Sequence, residues 1–234
     1  RATYSAYNHL DEVAPALCVA FTPGGSKLFA GFDRCVRVFD ITRPGAQIED
    51  RPTSTTRASR DGQRGLLSSI AFNPCNTGMY ACGSYNGTTC LYSESSGKPM
   101  CELPNSNGRG VTQVQFTPNG NYLFVGTRAG TAIDCWDIRA SKTVVLSVPR
   151  DASTNQRLQF DIEPMGRHLI TGSRDRRAIV FDLVAGEEAA SMPGFPDAVN
   201  GVSVSPFGDC FAVSTGERHF SLPDSSDDGG VAPP

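Results

Sequence analysis

Five copies of one turn, in phase along 234 residues, predict an all-β chain folded as a β-propeller. The copies are Phe21-Thr22-Pro23-Gly24-Gly25, Phe72-Asn73-Pro74-Cys75-Asn76, Phe116-Thr117-Pro118-Asn119-Gly120, Ile162-Glu163-Pro164-Met165-Gly166 and Val204-Ser205-Pro206-Phe207-Gly208, with prolines 51, 44, 46 and 42 residues apart. The interior of each unit holds the same spacing. A short apolar strand runs to a small pair (Gly31-Phe32, Gly83-Ser84, Gly126-Thr127, Gly172-Ser173, Ser214-Thr215), and a polar turn then leads to a strand closed by an aromatic residue. Those aromatics, Phe39-Asp40, Tyr92, Trp136-Asp137 and Phe181-Asp182, lie 16, 18, 18 and 17 residues beyond the prolines, so length variation is confined to the outer loops. The third observation is composition. Helical periodicity is absent, and 24 Gly with 16 Pro suit many short strands joined by turns.

Each element has a reason. Proline at the second turn position fixes its φ, and Gly or Asn after it supplies the reversal into the next strand. The apolar strand that follows leads to the small pair. The unit resembles the WD repeat, in which the dipeptide closes the third strand of a four-stranded blade. Only Trp136-Asp137 is a literal match, and the usual Gly-His before the first strand is missing throughout. About five blades are recognisable.

At 39% hydrophobic the chain can bury a core of ordinary size. It contains no 18-residue apolar run, so no membrane span is read. Eight cysteines form no C-x-x-C spacing, and Cys18, Cys35, Cys82, Cys90 and Cys135 fall within strand patterns. They read as reduced core residues in a cytosolic or nuclear compartment, with no metal implied. Asn86-Gly87-Thr88 is read as an unused glycosylation sequon. Residues 1–222 are taken as a partial propeller and 223–234 as an acidic, apolar-poor tail or loop. The first residue is Arg rather than Met, which suggests a piece of a longer protein.

Three histidines (His9, His168, His219), no Gly-x-Ser-x-Gly turn, no phosphate-binding loop and no dinucleotide fingerprint argue against an enzyme and imply no cofactor. His9 is read as a buried hydrogen-bonding residue.

Net charge is −3, yet the repeat separates the charges. Naming the strands of a blade a to d from the inside outward, the b–c turns and the d–a connections share one face. That face receives Arg34, Arg128, Arg174, Arg176, Arg177 and Arg218 from the turns and Arg57, Arg60, Arg64, Arg109, Arg150 and Arg157 from the connections. These are 12 of the 21 basic residues, against six acids (Asp33, Asp61, Asp151, Asp175, Asp197, Glu217), so the rim carries 12 − 6 = +6 and the rest of the chain −9. Eighteen of the 21 bases are arginine, whose planar fork grips phosphate and stacks on bases. Arg128, Arg157, Arg174 and Arg176 are the candidate phosphate or stacking contacts. Tyr85, Asn155 and Gln156 are the candidate base readers, with Asn86 beside them. Arg139 follows Trp136-Asp137 on the opposite face and is read as structural.

A sharper resemblance lies in Tyr7-Asn8-His9-Leu10-Asp11-Glu12, Gly31-Phe32-Asp33-Arg34-Cys35-Val36-Arg37-Val38-Phe39, Arg43-Pro44-Gly45, Tyr80-Ala81-Cys82-Gly83-Ser84-Tyr85, Cys135-Trp136-Asp137-Ile138-Arg139 and Thr154-Asn155-Gln156-Arg157. In order, over about residues 7 to 215, these blocks resemble the telomerase Cajal body protein family. The resemblance implies a nuclear, non-catalytic scaffold that binds the CAB box of small Cajal body RNAs and telomerase RNA. It also implies delivery of these particles to Cajal bodies in support of telomere maintenance, beside H/ACA components such as dyskerin, with neither membrane nor small-molecule substrate. The family propeller has seven blades and an acidic insertion similar to 223–230. Blades are therefore expected to be missing at both ends, and the 234 residues alone to be unstable or prone to aggregate. The competing reading is a protein-interaction propeller whose rim grips an acidic or phosphorylated peptide.

Overall fold

The computed structural model describes residues 2–7, 12–56, 61–75, 77–104, 109–140 and 143–217. Four antiparallel four-stranded sheets follow one another along the chain. The first is β1 (Cys18–Phe21), β2 (Lys27–Phe32), β3 (Cys35–Asp40) and β4 (Glu49–Pro52). The second is β5 (Leu67–Phe72), β6 (Met79–Ser84), β7 (Thr89–Ser93) and β8 (Pro99–Leu103). The third is β9 (Val111–Phe116), β10 (Tyr122–Thr127), β11 (Ala132–Asp137) and β12 (Val144–Pro149). The fourth is β13 (Phe160–Ile162), β14 (His168–Gly172), β15 (Ala178–Asp182) and β16 (Glu187–Met192). A fifth unit shows two paired strands, β17 (Val199–Val204) and β18 (Phe211–Thr215). No helix occurs among the described residues, and none there is long and apolar enough to cross a membrane.

Four of the proline turns close with the same main-chain bond, Gly25, Gly120, Gly166 and Gly208 each donating N–H to the carbonyl three residues back. In the first, Gly25 N donates to Thr22 O at 2.8 Å, Pro23 sits between them, and Gly25 takes a left-handed φ of 67° that a side chain would resist.

The core lies between blades. Phe29, Val36 and Val38 of the first pack on Leu67, Ile70, Tyr80 and Tyr92 of the second. Leu91 and Leu103 meet Val111, Leu123 and Trp136 of the third. Phe124, Ile133 and Val148 meet Phe160, Leu169 and Phe181 of the fourth, and Ile170 and Ala178 meet Val199 and Val202 of the fifth. The aromatic that closes strand c thus faces the preceding blade. Phe39 has no such blade before it in the described residues and packs instead on Tyr4, ring centroids 6.0 Å apart, with Ala6 beside them.

The small pairs have a matching cause. The glycine near the end of strand b lies against the start of the next inner strand: Gly31 on Leu67, Gly83 on Val111, Gly126 on Phe160 and Gly172 on Val199. The aspartate after the aromatic closes the c–d turn. Asp40 accepts from Thr42 N, Asp137 from Arg139 N, and Asp182 from Val184 N and Ala185 N. Arg139 also grips Asp137 through Nε (2.9 Å) and Nη2 (2.7 Å), in keeping with a structural role.

These bonds hold both carboxyls low. The Arg139 guanidinium, with its own main-chain N–H, brings Asp137 to about 2, and the Ala185 and Val184 amides bring Asp182 to about 2. A carboxyl lowered by folding stabilises above its ordinary value and loses that contribution as pH falls through the folded value. An acid titration is expected to show stability declining between about pH 4 and 2, and a D137N/D182N variant to show a shallower decline, checked by urea midpoints across that range. Equal slopes would refute this.

Cys82, Cys90 and Cys135 are buried, Cys18 and Cys35 half-buried, and all five lie in strands as expected; Cys101 adds a sixth, in β8. Burial pushes the Cys18 thiol up to about 11 and those of Cys90 and Cys135 to about 12, which keeps them protonated. His9 and the 223–234 tail lie outside the described residues.

Candidate nucleic-acid interface

The b–c turns and d–a connections interlock on one face through main-chain bonds: Arg34 N to Gly65 O, Tyr85 N to Leu66 O, Arg128 N to Gly110 O and Arg174 N to Asp151 O. These bonds set where each rim side chain starts. Two turns are tight enough that arginine takes a left-handed φ, Arg34 at 53° and Arg176 at 64°.

The rim arginines divide by environment. Arg57, Arg60 and Arg218 lie outside the described residues. Arg150, expected on the rim, is buried between the third and fourth blades at 5% exposure. Its Nη1 donates to Leu158 O and Thr171 Oγ1, and burial lowers its pKa to about 10. Spacing assigned Arg150 to a connection but could not say that the connection turns it inward. Arg34 pairs with Asp33 at 2.9 Å, and Arg177 pairs with Asp175 at 2.7 Å. Burial raises the Asp175 carboxyl, but the Arg177 bonds outweigh it and hold the group low.

Arg64, Arg128, Arg157, Arg174 and Arg176 have no carboxylate at ion-pair distance among the described residues. Arg174 is exposed, its Nη1 held by Ser153 O (3.3 Å) and Oγ (3.1 Å), and Arg176 is exposed two residues on. Arg157 reaches inward, Nη2 donating to Thr112 O (2.6 Å) on β9 and Ser68 O (3.2 Å) on β5. It therefore ties two inner strands together while the rest of the residue stays exposed.

Tyr85 and Arg128, 43 residues apart in sequence, come together: the guanidinium carbon lies 4.7 Å from the ring centroid. Both are half-buried, and Asn86 beside them is exposed. Asn155 is exposed on the connection into the fourth blade. Gln156 is half-buried, its N–H donating to Thr154 Oγ1 and its Oε1 buried without a hydrogen-bond partner. The residue that sequence reasoning missed is Gly110, whose missing Cβ lets the chain lie on the Tyr85 backbone: a Cβ there would sit 2.8 Å from Tyr85 O. Its carbonyl is also the one that holds Arg128 N. Only the shared position of Tyr85 and Arg128 in the b–c turns of neighbouring blades could have pointed to this pairing.

Comparison with known proteins agrees with the fold. The family described as "WD domain, G-beta repeat" matches residues 3–40 and 97–137. A Myceliophteria thermophila Cps50 (Swd1) β-propeller domain superposes with a TM-score of 0.71 at 17% identity, over 87% of this chain and 63% of that one. The molecule is thus a WD-repeat β-propeller. The rat (Rattus norvegicus) telomerase Cajal body protein 1 is 39% identical over 98% of this chain and 44% of its own length. The Drosophila melanogaster telomerase Cajal body protein 1 homolog is 31% identical over 94% of this chain and 40% of its own. Within the WD-repeat class the chain belongs to the telomerase Cajal body protein 1 family, and it spans about two fifths of the length of these relatives.

Proposed function

We propose that this propeller is a non-catalytic RNA-binding scaffold that recognises the CAB box of small Cajal body RNAs and telomerase RNA through its arginine rim. In this reading it acts in the nucleus, directs these particles to Cajal bodies alongside H/ACA proteins such as dyskerin, and so supports telomere maintenance. Residues 1–222 would supply the propeller and 223–234 an acidic appendage. The observation that carries it is the rim: five arginines without a carboxylate partner among the described residues, two of them exposed on the turn of the fourth blade, in a homologue of a protein named for telomerase and the Cajal body. Unneutralised arginines on adjoining loops suit a phosphate backbone, and the paired Arg128 and Tyr85 suit an unpaired loop base.

Arg174 and Arg176 are the better probes, because removing Arg157 would also free two inner-strand carbonyls. The full-length protein is expected to bind a CAB-box hairpin more tightly than the same hairpin with a scrambled loop. R174A/R176A is expected to weaken binding about tenfold and to flatten the salt dependence by about 1.4 in slope, two single-strand phosphate contacts. Equal binding to both hairpins, or tighter capture of an acidic or phosphorylated peptide that RNA does not displace, would overturn the reading.

A further inference from the structure

Tyr85 and Arg128 make a composite whose parts have different jobs. Arg128 lies over the Tyr85 ring, has no carboxylate at ion-pair distance among the described residues, and its Nε is buried without a hydrogen-bond partner. The guanidinium carbon thus sits 4.7 Å over the ring with no carboxylate beside it to neutralise its charge. One face of the ring is taken by Arg128, and the main chain of Gly110 lies against the Tyr85 backbone from another side. Tyr85 was expected to be a stacking platform in its own right. In the structure Arg128 lies over its ring, and the arginine's main-chain N–H donates to Gly110 O at 2.8 Å.

Resting on the RNA reading above, we infer that the Arg128 guanidinium, backed by Tyr85 and clamped through Gly110, is the seat on which one unpaired nucleobase of the bound loop stacks, with the Asn86 amide beside it at the base edge. Tyr85 is then a positioning residue and Arg128 the contacting one. A planar cation on an aromatic ring presents a delocalised face that a base covers well, while a lysine at the same place offers only a point charge. Stacking and phosphate contact therefore predict opposite responses to a conservative change.

The test uses the full-length protein and a CAB-box hairpin in which each loop nucleotide is replaced in turn by an abasic residue, over a salt series. Arg128→Lys is expected to lose about tenfold in affinity with the salt slope unchanged, and one abasic position is expected to cost the wild type as much. Combining that abasic hairpin with Arg128→Lys is expected to cost nothing further. Tyr85→Phe is expected to bind as wild type and Tyr85→Ala to behave as Arg128→Lys, with melting temperatures confirming that each variant is folded. Full binding by Arg128→Lys, or losses that add at every abasic position, would make Arg128 a phosphate contact and overturn the seat while leaving the RNA reading intact. A wild type that binds no loop hairpin would overturn both.

Discussion

Gly172→Ala is expected to unseat the fifth blade and to cost about 3 kcal/mol or more, since the clash is with backbone rather than with a movable side chain. A Cβ built on Gly172 would overlap the carbonyl oxygen of Val199 and lie 2.8 Å from its carbonyl carbon. Neither strand can yield. Val199 N donates to Ser173 O at 3.0 Å, and Gln159, which accepts from Gly172 N, donates its own N–H to Asn200 O at 2.9 Å, so both strands are held at the clash. Val199 is itself fully buried with Ile170 and Ala178 against it. Gly24→Ala is the matched control, because nothing lies within 4 Å of a Cβ there. Urea unfolding should show a lowered midpoint for Gly172→Ala and none for Gly24→Ala. Hydrogen exchange should locate the loosened amides in β17 and β18 before the other blades. A Gly172→Ala protein that unfolds with the wild type would show that the blades are not in register through these glycines.

The same glycines show how far sequence reached. The proline turns, the small pair and the closing aromatic recur because every blade solves one steric problem, and a repeated solution is visible as period and spacing. The strand containing Gly83-Ser84 was therefore legible, and so was Trp136-Asp137 at the end of β11. The partner of each small residue was not, because Gly83 meets Val111 of the next blade, 28 residues on. The rim was legible in the same partial way. Phase assigned Arg174 and Arg176 to a turn on the basic face, and there they are exposed. It placed Arg150 there too, although that guanidinium is buried on Leu158 O and Thr171 Oγ1. The d–a connections vary in length and carry no repeat of their own, so the direction of a side chain within them has no periodic signal. The period sets the b–c turns of neighbouring blades side by side, but it does not say that Arg128 reaches over the Tyr85 ring.

Gln63→Ala is the second change expected to be severe, at about 3 kcal/mol, because it strips partners from up to three buried groups at about 1 kcal/mol or more each. Gln63 is 1% exposed in the connection between the first two blades. Its Nε2 donates to Cys82 O (2.8 Å) on β6 and to Thr88 O (3.0 Å) in the b–c turn, and its Oε1 accepts from the Tyr92 hydroxyl at 3.0 Å. Its main chain is paired in both directions with Thr53, just beyond β4: Gln63 N donates to Thr53 O and Thr53 Oγ1 donates to Gln63 O. One amide thus joins the outer edge of the first blade to the second and third strands of the next. The chain lacks the Gly-His that WD repeats carry before their first strand; Gln63, four residues ahead of β5, supplies hydrogen bonds from that connection in the second blade. Burial pushes the Tyr92 phenol far above its ordinary range, so its hydroxyl stays neutral and remains a donor to the amide. A double-mutant cycle isolates this link. Tyr92→Phe alone removes the donor and leaves Gln63 Oε1 orphaned, whereas Tyr92→Phe added to Gln63→Ala should cost little more than Gln63→Ala by itself. Additive losses would mean that the two side chains act independently and that the connection is held by its main chain alone. Strong coupling would place the anchor of the second blade, and with it the footing of Tyr85 on the rim, in a single buried amide.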